Sequence, residues 1–406
     1  MILFIAPNPH DVTDREGFLQ RVYAIDQTLQ AKEKHYINDC TDLELAQRLS
    51  EATVIYVHSL YQLEKIVQAL PVIGHKVILD LHGVVPEEEL YSGNEHRSKR
   101  MDGIERAAFK YVKTFVAVTN TMAAYYKKKY KNTKDAQWVV LPIFDTVVTN
   151  KKKTVGRDKT VVYAGGAQKW QNVDLMIDTI NKSHQHYSYD ILTHSPDAFS
   201  SVSEEALPRV KIESVDSSGV AEHYKNADFG FVLRDDIVVN RVACPTKIIE
   251  YLGSGVIPVI KSEYIGDFHS LGYKFFRLKE LIEGTITDKQ ISDARKINYR
   301  VYDKLKRQSE SGKETLAALV NNLQDNQSVI PAEFTLTQSV QLSAAELRAS
   351  EMQYQIDEQI RIIGEYKESV DYFKAEVNEL RSELESIKNS KSWRVIRKLR
   401  KYTSNK

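Results

Sequence analysis

The sequence predicts an α/β protein with two parallel sheets and a long C-terminal helix. Three observations carry that reading. Short apolar runs rich in β-branched residues alternate with longer amphipathic segments over roughly the first 320 residues, the pattern of parallel strands joined by helical crossovers. The runs fall into two groups of similar size, divided by a polar, basic stretch at residues 146–160, TVVTNKKKTVGRDKT, which has no helical period and reads as a linker. From Leu342 onward glycine nearly disappears and a seven-residue apolar repeat takes over.

The first group of runs covers residues 2–6, 54–57, 77–81, 115–118 and 139–141, and the second covers 161–164, 189–192, 210–212, 229–233 and 256–260. Each is apolar throughout or nearly so, as strands buried on both faces must be. No segment recurs at a period of 20 to 50 residues, which removes a solenoid from consideration. Beyond the second group, NQSVIPAEFTLTQSVQ at residues 326–341 reads as a loose tether.

The repeat beyond it puts Leu342, Ala349, Ile356, Ile363, Val370, Val377 and Leu384 at a positions. Ala345, Met352, Gln359, Tyr366, Phe373, Leu380 and Ile387 take the d positions. A register held this long predicts a coiled coil, and β-branched residues at a favour a parallel dimer while Tyr366 and Phe373 at d leave a trimer open. A single helix laid back on the globular part is the alternative. The last residues, SKSWRVIRKLRKYTSNK, carry Lys391, Arg394, Arg397, Lys398, Arg400, Lys401 and Lys406 with no acidic residue after Glu385. Trp393, Ile396 and Leu399 recur every third residue and would line one side of a short helix, an arrangement suited to an anionic membrane surface. Each cation there contributes on the order of 1 kcal/mol, and association through the coil would multiply the tails. A solvated basic end is the plainer reading.

Composition narrows the classes. Hydrophobic residues at 42% and charged residues at 27% exclude wholesale disorder. Lysine and arginine number 56 against 55 acidic residues, a net charge of +1, so the chain is not a nucleic-acid binder that is basic throughout. Cys40 and Cys244 are its two cysteines, too few for a disulfide framework or a thiolate zinc site, which suits a reducing cytosol. The start, MILFIAPNPHD, has no charged leader, and no apolar run approaches the roughly 20 residues that span a bilayer. A cytoplasmic protein is expected.

In doubly wound sheets ligands bind beyond the carboxyl ends of the strands. Behind VILDL stand His82, Gly83, Pro86, Glu87 and Glu88; behind VVYA stand Gly165, Gly166, Gln168 and Lys169; behind FGFVL stand Arg234 and Asp235. Gly165 and Gly166 let the backbone approach a ligand, and a helix starting near Asn172 and Val173 would aim free N–H groups at the same space, which suits a diphosphate with Lys169 beside it. The pair serves equally as a plain tight turn. His82 could act as a base, hold a sugar hydroxyl or be structural.

The sharpest local feature is CPTKIIEYLGSGVIPVI at residues 244–260. Pro245 suits a helix's first turn, Gly253 or Gly255 its end, and VIPVI a buried strand behind it. At about 100° per residue Thr246, Lys247 and Glu250 share one side while Ile248, Ile249 and Leu252 take the other. A carboxylate on that polar side can accept both hydroxyls of a ribose, and Lys247 can meet phosphate. An exposed Lys247 and Glu250 pair, worth a few tenths of a kcal/mol, is the alternative. There is no G-x-G-x-x-G behind a strand and no G-x-x-x-x-G-K-[ST], so dehydrogenase and P-loop readings drop. No pair of His or Cys has metal-ligand spacing, and Asp235 and Asp236 point oppositely if extended. Neither metal nor other cofactor is expected.

These residues resemble a family, the retaining GT-B glycosyltransferases grouped as glycosyltransferase family 4, over roughly the first 320 positions. VACPTKIIEYLGSGVIPVI is similar to the family's P-x-K-x-x-E-Y-L-x-x-G-x-P-V-I helix, and YAGGAQKWQNVDLMID looks like the first strand and helix of its donor domain. The resemblance implies two Rossmann-like halves facing a cleft. Residues 1–147 would be the acceptor half, 148–159 the linker, 160–325 the nucleotide-sugar half, 326–341 the tether, 342–389 the coiled coil and 390–406 the tail. Glu250 would bind the nucleotide ribose, Lys247, Lys169 and Arg234 would be candidates for the diphosphate, and His82 would sit near donor and acceptor sugars. The implied function is sugar transfer with retention, the departing phosphate taking the acceptor proton.

Two departures stand out. The family's second glutamate, eight residues before the ribose-binding one, is Val242 here, so contact to the donor sugar must come from elsewhere, with the backbone near Asn240, residues 240–243, the candidate. Its Gly-Arg after the first donor-domain strand is also missing, since Ala167 follows Gly166. A coil ending in Ser-Lys-Ser-Trp-Arg looks like the tails of bacterial enzymes that build surface polysaccharides, which implies a lipid-linked glycan acceptor and the inner face of the plasma membrane. Rival readings are a nucleotide-sugar epimerase or hydrolase of the same architecture, and a catalytically silent scaffold recruited to the membrane by the coil.

Overall fold

The computed structural model describes all residues except 13–16, 32, 38–39, 134, 143–158, 168, 216, 326–332, 391–392 and 394–406. The chain forms two compact units, Met1–Ala345 and Glu346–Lys406. The first unit contains two six-stranded sheets in which every pairing is parallel. In the first sheet β1 (Ile2–Ile5), β2 (Lys34–Tyr36), β3 (Val54–His58), β4 (Val77–Leu81), β5 (Thr114–Ala117) and β6 (Gln137–Val140) lie in the order β2-β1-β3-β4-β5-β6. In the second, β7 (Thr160–Ala164), β8 (Ser188–Leu192), β9 (Val210–Glu213), β10 (Phe229–Val232), β11 (Ile257–Ile260) and β12 (Phe276–Arg277) lie in the order β12-β11-β10-β7-β8-β9.

All ten expected strands are present, and their burial explains their composition. Every residue of β1, β3, β4, β5, β10 and β11 is buried, because helices cover both faces of a parallel sheet. The sequence order turns back between β1 and β3 in one sheet and between β7 and β10 in the other. At such a reversal the loops leave in opposite directions and open a crevice at the strands' carboxyl ends. In the second sheet those loops begin with Gly165 and with Leu233 and Arg234.

The last helix of the expected second half, residues 160–325, crosses back to the first sheet. The helix Asp288–Asp325 starts in the second half but buries Leu316 and Val320 in the core formed by Ile2, Phe4, Val54, Tyr56, Ile78 and Val139 of the first sheet. Gly312 permits the approach, since a Cβ there would lie 2.6 Å from the carbonyl oxygen of Val140. The first half's core is thus completed by chain about 170 residues downstream.

The expected tether, residues 326–341, is described in part. Residues 326–332 and the linker residues 148–158 lie outside the described residues, but from Glu333 the chain is helical to Asn389. Leu336 and Val340 are buried in the first unit's core, and the Ser343 hydroxyl accepts a hydrogen bond from the Gln68 amide at 3.2 Å. These apolar anchors extend the helix upstream of the heptads. In the second unit the heptad side chains stand exposed, Ile363 at 64% and Tyr366 at 70%. Of the basic tail Trp393 is described and exposed, and the rest lies outside the described residues. Among the described residues no helix is long and apolar enough to cross a membrane.

Candidate functional site

β7 delivers Tyr163, Ala164 and Gly165 to the rim of the second sheet. Gly165 has φ +153°, and a Cβ there would lie 2.9 Å from Nζ of Lys247 and 3.2 Å from the Tyr163 hydroxyl. Lys247 comes from the helix Thr246–Ser254, whose Ile248, Ile249 and Leu252 are buried and whose C-terminus closes on Gly255 at φ +72°. Its ammonium lies over the Tyr163 ring, 3.9 Å from the centroid. Among the described residues Lys247 Nζ is buried and has no hydrogen-bond partner. Burial, reinforced by the Arg234 charge, pulls this lysine down to about 7 against the pull of Glu250.

Arg234 follows β10, and burial lowers it as well. Its guanidinium donates to Asn240 Oδ1 at 3.4 Å, while Asn240 donates to the Asp235 carbonyl at 2.9 Å. Asn172, left-handed at φ 54°, donates to the Leu233 carbonyl at 2.6 Å and to Asp235 at 3.1 Å. That residue precedes the helix Val173–Ser183, so the helix start is tied to the end of β10. Glu250 accepts from the Tyr224 hydroxyl at 3.0 Å, and its carboxyl is raised by burial against the opposing effects of Tyr224 and Lys247. Two desolvated cations therefore lie close to the glycine turn, Lys247 offset in part by Glu250 and Arg234 by Glu88. Charge so arranged favours an anion.

The first half contributes a second cluster. Asp80, fully buried in β4, receives Arg21 on both oxygens at 3.0 Å and the Tyr56 hydroxyl at 3.1 Å, and its Oδ2 lies 3.3 Å from His82 Nε2. Opposing its burial, the Arg21 and His82 contacts hold the Asp80 carboxyl far below the ordinary carboxylate range. Arg21 also donates to the Leu141 carbonyl at 2.9 Å. His82 is thereby oriented, with the Phe18 ring 5.6 Å away centroid to centroid. Glu88 folds back on Gly83 and accepts the Val84 amide at 3.1 Å; burial raises it to about 7, and Arg234 of the other half acts against that rise.

The two clusters face one another across the halves. The Tyr91 hydroxyl donates to Asp235 at 3.3 Å. Lys169 is turned to Tyr91, with its ammonium 3.4 Å from that carbonyl and 5.1 Å from the ring centroid, an engagement that the reading of Lys169 as a phosphate ligand did not foresee. Among the other expected residues the structure brings together Gly165, Arg234, Asn240, Lys247 and Glu250. Thr246 opens the helix half-buried, and the Gly166 carbonyl accepts from Tyr163 at 2.5 Å.

Asp80 and Arg21 were missed by sequence reasoning, although a charged residue inside VILDL was the available signal. Tyr163 and Tyr224 gave none, because their roles depend on partners 84 and 26 positions away, and Asn172, expected near a helix start, gave no sign of its bond to Leu233, 61 positions on.

Among the described residues one group could hold a metal ion, His58, Asp80 and His82, whose ligand atoms lie within 4.8 Å of one another. Spacing in the sequence did not reveal it. Both Asp80 oxygens are already engaged by the Arg21 guanidinium, a cation that a metal ion would have to sit beside.

Solved structures of similar fold include sucrose-phosphate synthase from Thermosynechococcus elongatus, with TM-score 0.57 and 12% identity over 80% of this chain and 99% of that one. HepE of Anabaena in complex with UDP and glucose has TM-score 0.54 and 14% identity over 78% of this chain and 99% of its own. TarM has TM-score 0.51 and 11% identity over 70% of this chain and 58% of TarM. No family model matches the chain, and neither does any curated protein. The likeness establishes the fold class: two facing parallel-sheet α/β halves of GT-B type, with a long C-terminal helix.

The Arg21 and Asp80 pair makes a testable point about stability. Asp80→Asn removes the counter-charge of a buried guanidinium, so unfolding free energy at pH 7 should fall by about 3 to 5 kcal/mol, read from urea denaturation. Because the folded-state carboxyl is depressed, its contribution is complete above the unfolded value near 4 and is lost as pH falls below it. The difference between wild type and variant should therefore shrink in strong acid.

Proposed function

We propose that the protein is a glycosyltransferase that takes a sugar from a nucleotide-sugar donor and passes it to an acceptor hydroxyl with retention of anomeric configuration. The observation that carries this reading is the Lys247 ammonium, buried without a hydrogen-bond partner among the described residues, beside Gly165 and Arg234. A pyrophosphoryl group supplies the missing acceptor oxygens. The Gly165 turn lets it come close, and Asn240 steadies Arg234 behind it. Glu250, one oxygen held by Tyr224, keeps acceptor capacity for ribose hydroxyls. The bound UDP and glucose of HepE support the donor class.

In the reaction the bond between the sugar's anomeric carbon and the diphosphate oxygen breaks. The acceptor oxygen bonds to that carbon from the same face, and its proton passes to the departing phosphate. Lys247 and Arg234 stabilise the charge that gathers on the leaving group, and exclusion of water strengthens both contacts. His82, oriented by Asp80, lies on the opposing half, where the sugars would meet. No protein nucleophile is required, and metal-independence is part of the proposal, the chain's own cations neutralising the diphosphate.

The wider setting belongs to the same reading: a lipid-linked glycan acceptor, bacterial surface-polysaccharide synthesis such as O-antigen or capsule, and residence at the inner face of the plasma membrane. The basic tail supports the membrane and the exposed heptad supports a homo-oligomer, dimer or trimer. An epimerase or hydrolase of this fold would leave the tail idle.

Three outcomes test it. Glu250→Ala should lower turnover at least tenfold, about 1.4 kcal/mol, with nucleotide sugars and membrane extract as substrates; unchanged donor affinity and rate would refute the assignment. Nucleoside diphosphate binding should weaken about tenfold per pH unit at most as pH rises above about 7. There the empty site's Lys247 is neutral, so binding must take up a proton. Calorimetry in buffers of different ionisation heat reads that proton, and Lys247→Met should abolish it. A chain ending at Glu385 should lose flotation with anionic liposomes, and undiminished flotation would remove the tail from the account.

A further inference from the structure

Asp267 belongs to the second half, yet its carboxylate is spent on the first. The helix Asn120–Lys129 begins there with free backbone N–H groups, as every helix does. Asp267 Oδ2 accepts the Asn120 amide at 2.7 Å and its side-chain Nδ2 at 3.0 Å. Oδ1 accepts the Thr121 amide at 2.9 Å and its hydroxyl at 2.8 Å. Asp267 is 5% exposed. Four hydrogen bonds to one buried carboxylate at a positive helix terminus form a strong, directional clasp.

A second set of contacts links that clasp to the donor segment. Thr119 donates its hydroxyl to the Val242 carbonyl at 2.7 Å. Gly266, the neighbour of Asp267, packs where a Cβ would collide with the Ala243 carbonyl and lie 3.1 Å from the Thr119 methyl group, and it has φ +46°. A three-way junction results, with Thr119 from the first half, Ala243 from the segment that carries Asn240 and Lys247, and Gly266 from the Asp267 corner. Residues 240–247 thus reach the site while held from the opposing half.

We propose that Asp267 is a positioning residue for the donor site. It fixes the Gly266 corner to the first half, and that corner together with Thr119 sets the path of residues 240–247, so that Lys247 and Asn240 meet the diphosphate. This inference rests on the glycosyltransferase reading and extends it. Donor affinity is set partly by a contact between halves remote from the ligand. Releasing the clasp leaves both sheets folded but lets the segment move, which costs binding rather than core stability.

The test uses the full chain and calorimetry with UDP, GDP and ADP as separate probes. Wild type is expected to bind one or more of them. Asp267→Ala should weaken that binding at least tenfold at 25 °C, well below its unfolding midpoint, and Thr119→Val should weaken it in the same direction. Asp267→Asn, which keeps one acceptor oxygen and turns an N–H toward the Asn120 amide, should fall between wild type and Asp267→Ala. Val320→Ala, in the core beneath the first sheet, should lower the unfolding midpoint and leave affinity within twofold, which separates positioning from plain stability. Affinity within twofold of wild type in folded Asp267→Ala, or in Asp267→Asn should the alanine variant not fold, overturns this inference alone. Wild type binding none of the three diphosphates overturns the proposed function and this inference with it.

Discussion

A lysine ammonium taken out of water, with no acceptor among the described residues, is the constraint around which this molecule is arranged. Lys247 is drawn from the ordinary lysine value of 10.5 to about 7, and at about 1.4 kcal/mol per unit that displacement is on the order of 5 kcal/mol. A single neutral hydrogen bond contributes less. Arg234 adds to the strain rather than relieving it, and Glu250 offsets a part. A site of this kind is stabilised by an anion, and what it holds in reserve is affinity for one.

The fold supplies the geometry with few special devices. Parallel strands send their carboxyl ends to one edge, and the reversals of strand order open a crevice in each sheet. Gly165 gives the close approach, and the amphipathic helix Thr246–Ser254 buries its isoleucines and so turns Lys247 and Glu250 to the rim. The opposing half uses a buried charge for orientation. Arg21 neutralises Asp80, and Asp80 in turn holds His82.

Local pattern made most of this legible. The buried strands are apolar runs because both faces are covered, and the polar side of residues 246–250 follows from helical period alone. β2 and β12 escaped notice because they have three and two residues, too short for any period to show. The return of the helix Asp288–Asp325 to the first sheet was equally hidden, since its amphipathic stripe says that it packs and not against what. Arg21 and Asp80 stand 59 positions apart and Asp267 stands 147 from Asn120; only the topology brings such pairs together. The apolar anchors Leu336 and Val340 lay in a stretch whose polar composition resembled a tether.

The most direct measurement is a crystal structure of the full chain with a nucleoside diphosphate bound. The account predicts the β-phosphate within hydrogen-bond distance of Lys247 Nζ and the backbone at Gly165, the ribose on Glu250, and the sugar end of the cleft toward His82. A nucleotide bound elsewhere, with Lys247 still stacked on Tyr163 and unpartnered, would contradict it.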